Sequence, residues 1–137
     1  MEKYDVFKIV KETGIVAIVR GTKADDIIKL ADALYAGGIR AIEVTCNTKG
    51  YLSMIEALTT SMAGKMAVGA GTVLDAATAK LVIDAGAQFV LAPNLNREVV
   101  QLVHQYGKMA IPGVATPSEI MEAYRLGVDI VKLFPAG

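Results

Sequence analysis

Two charged residues stand inside runs of apolar neighbours. Lys132 lies in Asp129-Ile130-Val131-Lys132-Leu133-Phe134, and Glu43 lies in Ala41-Ile42-Glu43-Val44-Thr45. Side chains alternate along a strand, so Ile130, Lys132 and Phe134 share one face and Val131 and Leu133 the other. Ala41, Glu43 and Thr45 likewise share a face, with Ile42 and Val44 turned away. If the branched apolar set packs under helices, Lys132 and Glu43 point to the same interior. Unpaired buried charges are costly, so the two are expected to interact, directly or through water. Desolvation lowers a lysine pKa and creates a nucleophilic amine. A nearby carboxyl can move protons for it. Two other readings stay open: an edge strand with Lys132 facing water, and a purely structural ion pair. Arg20 and Thr72 are further polar residues, each closing an apolar stretch.

The elements that would hold these residues are legible from the pattern. Strands are expected at Ile15–Arg20, Ala41–Thr45, Met66–Thr72, Phe89–Pro93, Met109–Gly113 and Asp129–Phe134. Between them run helical spacings; Ile27, Leu30, Ala31 and Leu34 recur at i, i+3, i+4 and i+7. Glu98–Val103 and Glu119–Leu126 read similarly. Thr116-Pro117-Ser118-Glu119 predicts a helix start with a hydroxyl cap, a first-turn proline and a returning carboxylate. Thr22 followed by Asp25 predicts a weaker one. Gly37-Gly38, Gly86, Gly107 and Gly127 are placed to close helices. Gly86 to Gly107 is 21 residues and Gly107 to Gly127 is 20, so the units repeat. An unbroken βαβα series with apolar strands predicts a parallel sheet covered by helices. A (β/α) barrel and a doubly wound open sheet both fit.

Composition excludes several classes. The 137 residues carry 14 Lys and Arg against 14 Asp and Glu, so no basic excess exists to hold nucleic acid. Hydrophobic residues make up 53%, enough to exclude a disordered chain. One Cys cannot form an internal disulfide, and one Cys with one His argues against a zinc site. No apolar run reaches the roughly 18 residues of a membrane span, and Met1–Lys11 is too charged for a signal peptide. A cytoplasmic protein is the resulting expectation. Gly69-Ala70-Gly71 lacks the third glycine of a dinucleotide fingerprint, and close backbone approach at a strand end explains it as well. His104 reads as a partly exposed helix histidine. Cys46 reads as a bystander thiol. Asp25-Asp26 reads as charge complementing a helix N-terminus.

Four motifs in order complete the pattern: Ile42-Glu43-Val44-Thr45, Gly69-Ala70-Gly71-Thr72-Val73, Pro112-Gly113-Val114-Ala115-Thr116-Pro117 and Val131-Lys132-Leu133-Phe134-Pro135-Ala136. With Ile15–Arg20 and Ala36-Gly37-Gly38, they resemble the 2-keto-3-deoxy-6-phosphogluconate / 4-hydroxy-2-oxoglutarate aldolase family. The resemblance covers essentially the whole chain. It implies an α/β fold of the (β/α)8 TIM-barrel class, a homotrimer, and class I chemistry on a small 2-keto acid, with no cofactor and no metal. It implies Lys132 as the Schiff-base lysine and Glu43 as the general acid/base. It places Arg20 near the substrate's anionic groups, and Thr72, Pro93 and Phe134 around pyruvate.

Two departures qualify it. Many members carry Arg two residues after the position of Thr45; here Asn47 stands there, which bears on substrate choice. A barrel needs eight strands and six are expected here. Residues 1–137 thus read as a single barrel domain, C-terminally incomplete, lacking about two βα units and the strand 7–8 loops where such barrels bind phosphate. Strands 1 and 6 would then have unpaired edges, so a non-catalytic partial barrel that associates through them is the alternative.

Overall fold

The computed structural model describes residues 1–137. The chain runs α1 (Lys3–Thr13), β1 (Ala17–Val19), α2 (Ile27–Ala36), β2 (Ala41–Thr45), α3 (Tyr51–Ser61), β3 (Ala67–Gly71) and α4 (Ala76–Asp84). It continues with β4 (Phe89–Leu91), α5 (Arg97–Gln105), β5 (Met109–Ile111), β6 (Gly113–Val114), α6 (Pro117–Arg125) and β7 (Lys132–Leu133). Strands β1 to β5 form one parallel sheet in sequence order, and β6 pairs in parallel with β7. Sequential order is that of a barrel, whereas a doubly wound sheet reverses order at a switch point. The first of the two architectures is therefore the one adopted, an α/β fold of the TIM-barrel class.

The alternation of side chains divides the core in two. Ile42, Val44, Val68, Ala70, Val90 and Ala110 face outward into one cluster with helix residues such as Ile27, Leu58, Val82 and Val103. Ala41, Ala67, Phe89, Leu91, Met109 and Ile111 face inward. Val6 of α1 is fully buried among the first residues of these strands, so α1 covers the N-terminal end of the inner face. The closing glycines take the left-handed backbone that ends each helix: φ is 98° at Gly38, 110° at Gly86, 69° at Gly107 and 80° at Gly127. At α6 the predicted cap forms. The Thr116 hydroxyl accepts from the Glu119 N–H at 3.2 Å, and the Glu119 carboxylate accepts from the Thr116 N–H at 3.1 Å.

Several expected boundaries are too long. β1 stops at Val19, β3 at Gly71 and β4 at Leu91, so Arg20, Thr72 and Pro93 lie just past strand ends. The fifth strand changes partners at Pro112: Met109–Ile111 pairs with β4, and Gly113–Val114 pairs with β7. The last strand contracts to Lys132–Leu133, because it has a neighbour on one side only. Thr22 does not cap a helix. A 3-10 turn at Ala24–Asp26 leads into α2 instead, placing Asp25 and Asp26 at its N-terminal end. Helix α1 was not among the expected elements. No helix is long and apolar enough to cross a membrane.

Candidate active site

Strand β2 is buried at all five residues, and Glu43 sits at its centre, 1% exposed. Its neighbours in register are Ile18 on β1 and Gly69 on β3. The same row continues through Phe89 and Met109. The Phe89 ring fills the space that a Gly69 side chain would take, so the row beneath the carboxyl is apolar. Glu43 Oε2 is buried with no hydrogen-bond partner. Burial pushes the Glu43 carboxyl up to about 7, while the charges of Lys132 and Arg20 pull it back down. That value suits a group that must both take and give protons near neutrality.

Lys132 pairs with Gly113, and its N–H donates to the Pro112 carbonyl at 2.9 Å. Ile130, two residues earlier, packs on the inner cluster, so Lys132 belongs to the inward row. The side chain is half-buried, with Nζ 4.7 Å from the centre of the Phe134 ring. The expected interaction with Glu43 is not a direct ion pair. The chain's ion pairs are Lys3–Asp129, Lys8–Glu12, Lys80–Asp84 and Arg97–Glu122. Lys132 acts on Glu43 through space instead. The edge-strand reading of Lys132 is partly correct as well, since β7 ends its two-stranded sheet. The pattern predicts the row correctly but overstates the burial.

The remaining predicted residues gather at the C-terminal ends of the strands. Pro93 backbone atoms occupy the place of a Gly113 side chain, which sets Pro93 beside the residue paired with Lys132. Thr72 has φ 55°, a left-handed backbone that a β-branched residue adopts only under strain. It lines a cavity of about 210 Å³ with Cys46, Asn47, Tyr51, Asp75 and others. A second cavity, about 430 Å³, lies between the loops at 21–24 and 47–50. Arg20 is exposed beside that second loop pair, close enough to influence Glu43. Burial, reinforced by the Asp75 and Glu43 charges, pushes the Cys46 thiol up to about 12, in keeping with a bystander. His104 is half-buried, and burial lowers its basicity.

The pattern missed a threonine clamp. The Thr45 hydroxyl donates to the Val19 carbonyl at 3.3 Å and contacts the Thr48 hydroxyl at 3.0 Å. Thr48 in turn accepts from the Gly21 N–H at 3.0 Å. Both threonines are buried, and their bonds fix the backbone on either side of Arg20. The signal was available as two threonines three apart at a strand end.

Comparison with known proteins agrees with this fold. A family model described as KDPG and KHG aldolase matches residues 6–137. A 2-dehydro-3-deoxy-phosphogluconate aldolase of Treponema pallidum is 37% identical over 96% of this chain and 62% of its own length. One from Pseudomonas aeruginosa is 40% identical over 92% of this chain and 57% of its own. The crystal structure of a KDPG aldolase from Legionella pneumophila, with pyruvate captured as a covalent carbinolamine intermediate, superposes with TM-score 0.86 at 33% identity. That match covers 93% of this chain and 62% of the other. The chain thus spans about 60% of the length of the relatives it matches. With a matching family model over nearly all its residues and a parallel barrel sheet carrying the motifs in order, the chain belongs to the KDPG and KHG aldolase family.

Proposed function

We propose that the chain carries class I aldolase machinery for a 2-keto-3-deoxy-6-phosphogluconate or 4-hydroxy-2-oxoglutarate type of substrate, releasing pyruvate and an aldehyde. One observation carries this reading: a buried carboxyl near neutrality, Glu43, on the same inward face as Lys132 and under its charge. The relative captured with pyruvate as a carbinolamine supports it.

In this mechanism the Lys132 amine attacks the C2 ketone and the carbinolamine loses water to give an iminium. Glu43 supplies and removes the protons. It then takes the C4 hydroxyl proton, the C3–C4 bond breaks, and its electron pair moves into the iminium. The aldehyde departs. The enamine is protonated at C3, and water hydrolyses the resulting iminium to pyruvate and free lysine. Arg20 holds an anionic group of the substrate, while Thr72, Pro93 and Phe134 bound the pyruvate moiety. The working assembly is a homotrimer, which rests on the family alone, in the cytoplasm, which rests on the sequence pattern of residues 1–137.

The test is intact-protein mass spectrometry after incubation with pyruvate and borohydride. A reduced pyruvyl adduct mapped to Lys132, absent in Lys132→Ala, is the expected result. Lys132→Ala removes a charge from a partly desolvated position, so its fold should be unharmed. An unmodified native chain, or an adduct on another lysine, overturns the assignment.

A second reading has its own observation. Ile18, Leu133 and Phe134 are 55%, 61% and 45% exposed at the outer strands β1 and β7 and just beyond. A non-catalytic partial barrel associating through these edges predicts no adduct together with concentration-dependent assembly.

A further inference from the structure

Strand β3 reads Ala67-Val68-Gly69-Ala70-Gly71, and all five residues are buried. Glycine weakens a strand interior through backbone entropy, so two in five residues require a reason. The backbone does not supply one, because neither glycine has a positive φ. The reason lies in what a side chain would meet. At Gly69 it is the Phe89 ring. At Gly71 it is the carboxyl group of Glu43: a Cβ there would overlap Oε2, lie 2.8 Å from the carboxyl carbon and 3.2 Å from Oε1. Gly71 pairs with Thr45, two residues beyond Glu43 on the neighbouring strand. The Glu43 side chain therefore runs diagonally toward the C-terminal end of the sheet and rests against bare β3 backbone.

We propose that Gly71 is a positioning residue: its missing side chain leaves the place in which the Glu43 carboxyl is held against β3. This deepens the aldolase reading and rests on it for its catalytic consequence, though the geometric claim stands apart. Any β-carbon at 71 must push the carboxyl away from the strand, changing both its burial and its distance from the reacting atoms. Small displacements of a proton-transfer group are costly to rate.

The claim can be tested with the chain labelled with glutamate enriched in ¹³C at the side-chain carboxyl. Glu43→Gln identifies the Glu43 resonance, and its titration is then followed in native chain and in Gly71→Ala. A displaced midpoint in Gly71→Ala is expected. An unchanged midpoint in a folded variant overturns the proposal, since a merely structural glycine would lower stability without moving that titration. Exchange of pyruvate methyl protons with deuterated water should fall by at least about ten-fold, the scale of one misplaced acid/base group.

If Gly71→Ala does not fold, the pair Gly71→Ala with Glu43→Asp decides. Aspartate is one methylene shorter and withdraws the carboxyl from the new methyl. Restored folding supports the proposal, and failure to restore it overturns it. The two readings separate cleanly. A native chain that traps no pyruvate, yet shows the midpoint moved by Gly71→Ala, sinks the aldolase chemistry and keeps the positioning.

Discussion

A carboxyl held at about 7 in the folded chain, against an ordinary 4.5, binds its proton longer than the unfolded chain does. Below pH 4.5 both forms are protonated and Glu43 favours neither. Between there and about 7 the unfolded chain releases the proton first, so stability falls as pH rises. Above 7 the whole cost is present, roughly 3 kcal/mol from the shift. The difference in unfolding free energy between native chain and Glu43→Gln should follow that course in urea titrations from pH 4 to 8. A difference flat with pH would show that Glu43 is not held neutral. Glu43 and Lys132 were legible as charges that broke apolar runs. Gly71 was legible only as close approach at a strand end, because a residue without a side chain does not say what approaches it. Only register and the neighbouring strand reveal what its emptiness admits.

At the scale of elements, the strongest punctuation was the most readable. The α6 start was legible as hydroxyl, proline and carboxylate in sequence, and both reciprocal bonds form. Thr116→Ala removes one of them and should cost about 1 kcal/mol in urea unfolding. An unchanged midpoint would mean that Glu119 or solvent satisfies the freed N–H. The glycines also ended their helices as expected, since few other residues tolerate a left-handed backbone. Thr22 misled because local spacing cannot distinguish a cap from a 3-10 turn feeding a helix. Helix α1 was missed because its charges suggested only that it was no signal peptide. Its apolar face finds a partner only once the strands have assembled beneath Val6.

For the molecule as a whole, the order of units was legible in the periodicity, and the choice of barrel over open sheet only in the motifs that carry the family resemblance. That choice lies in strand order, which periodicity does not encode. The outer sides of β1 and β7 have no strand beside them, and Ile18 lies open on the inner face of β1. Such edges pair with other chains, and a lysine on them interferes. Under the partial-barrel reading, sedimentation of the 14.5 kDa chain shows apparent mass rising with concentration. Ile18→Lys should bring it back toward the monomer. Identical sedimentation of the two chains would place the contact elsewhere.

The partner change at Pro112 sets the two catalytic candidates on unequal ground. Glu43 rides on a strand laddered on both sides, whereas Lys132 rides on two paired residues at the margin. Local opening follows such differences, so amide hydrogens of β2 should exchange with deuterium only through global unfolding and those of β7 far sooner. Equal protection of the two would contradict this. On the proposed roles, the amine is thus the less firmly held of the two groups. Mild denaturant should silence pyruvate capture while most helical signal survives, and whatever braces β7 would govern how long the amine stays in place.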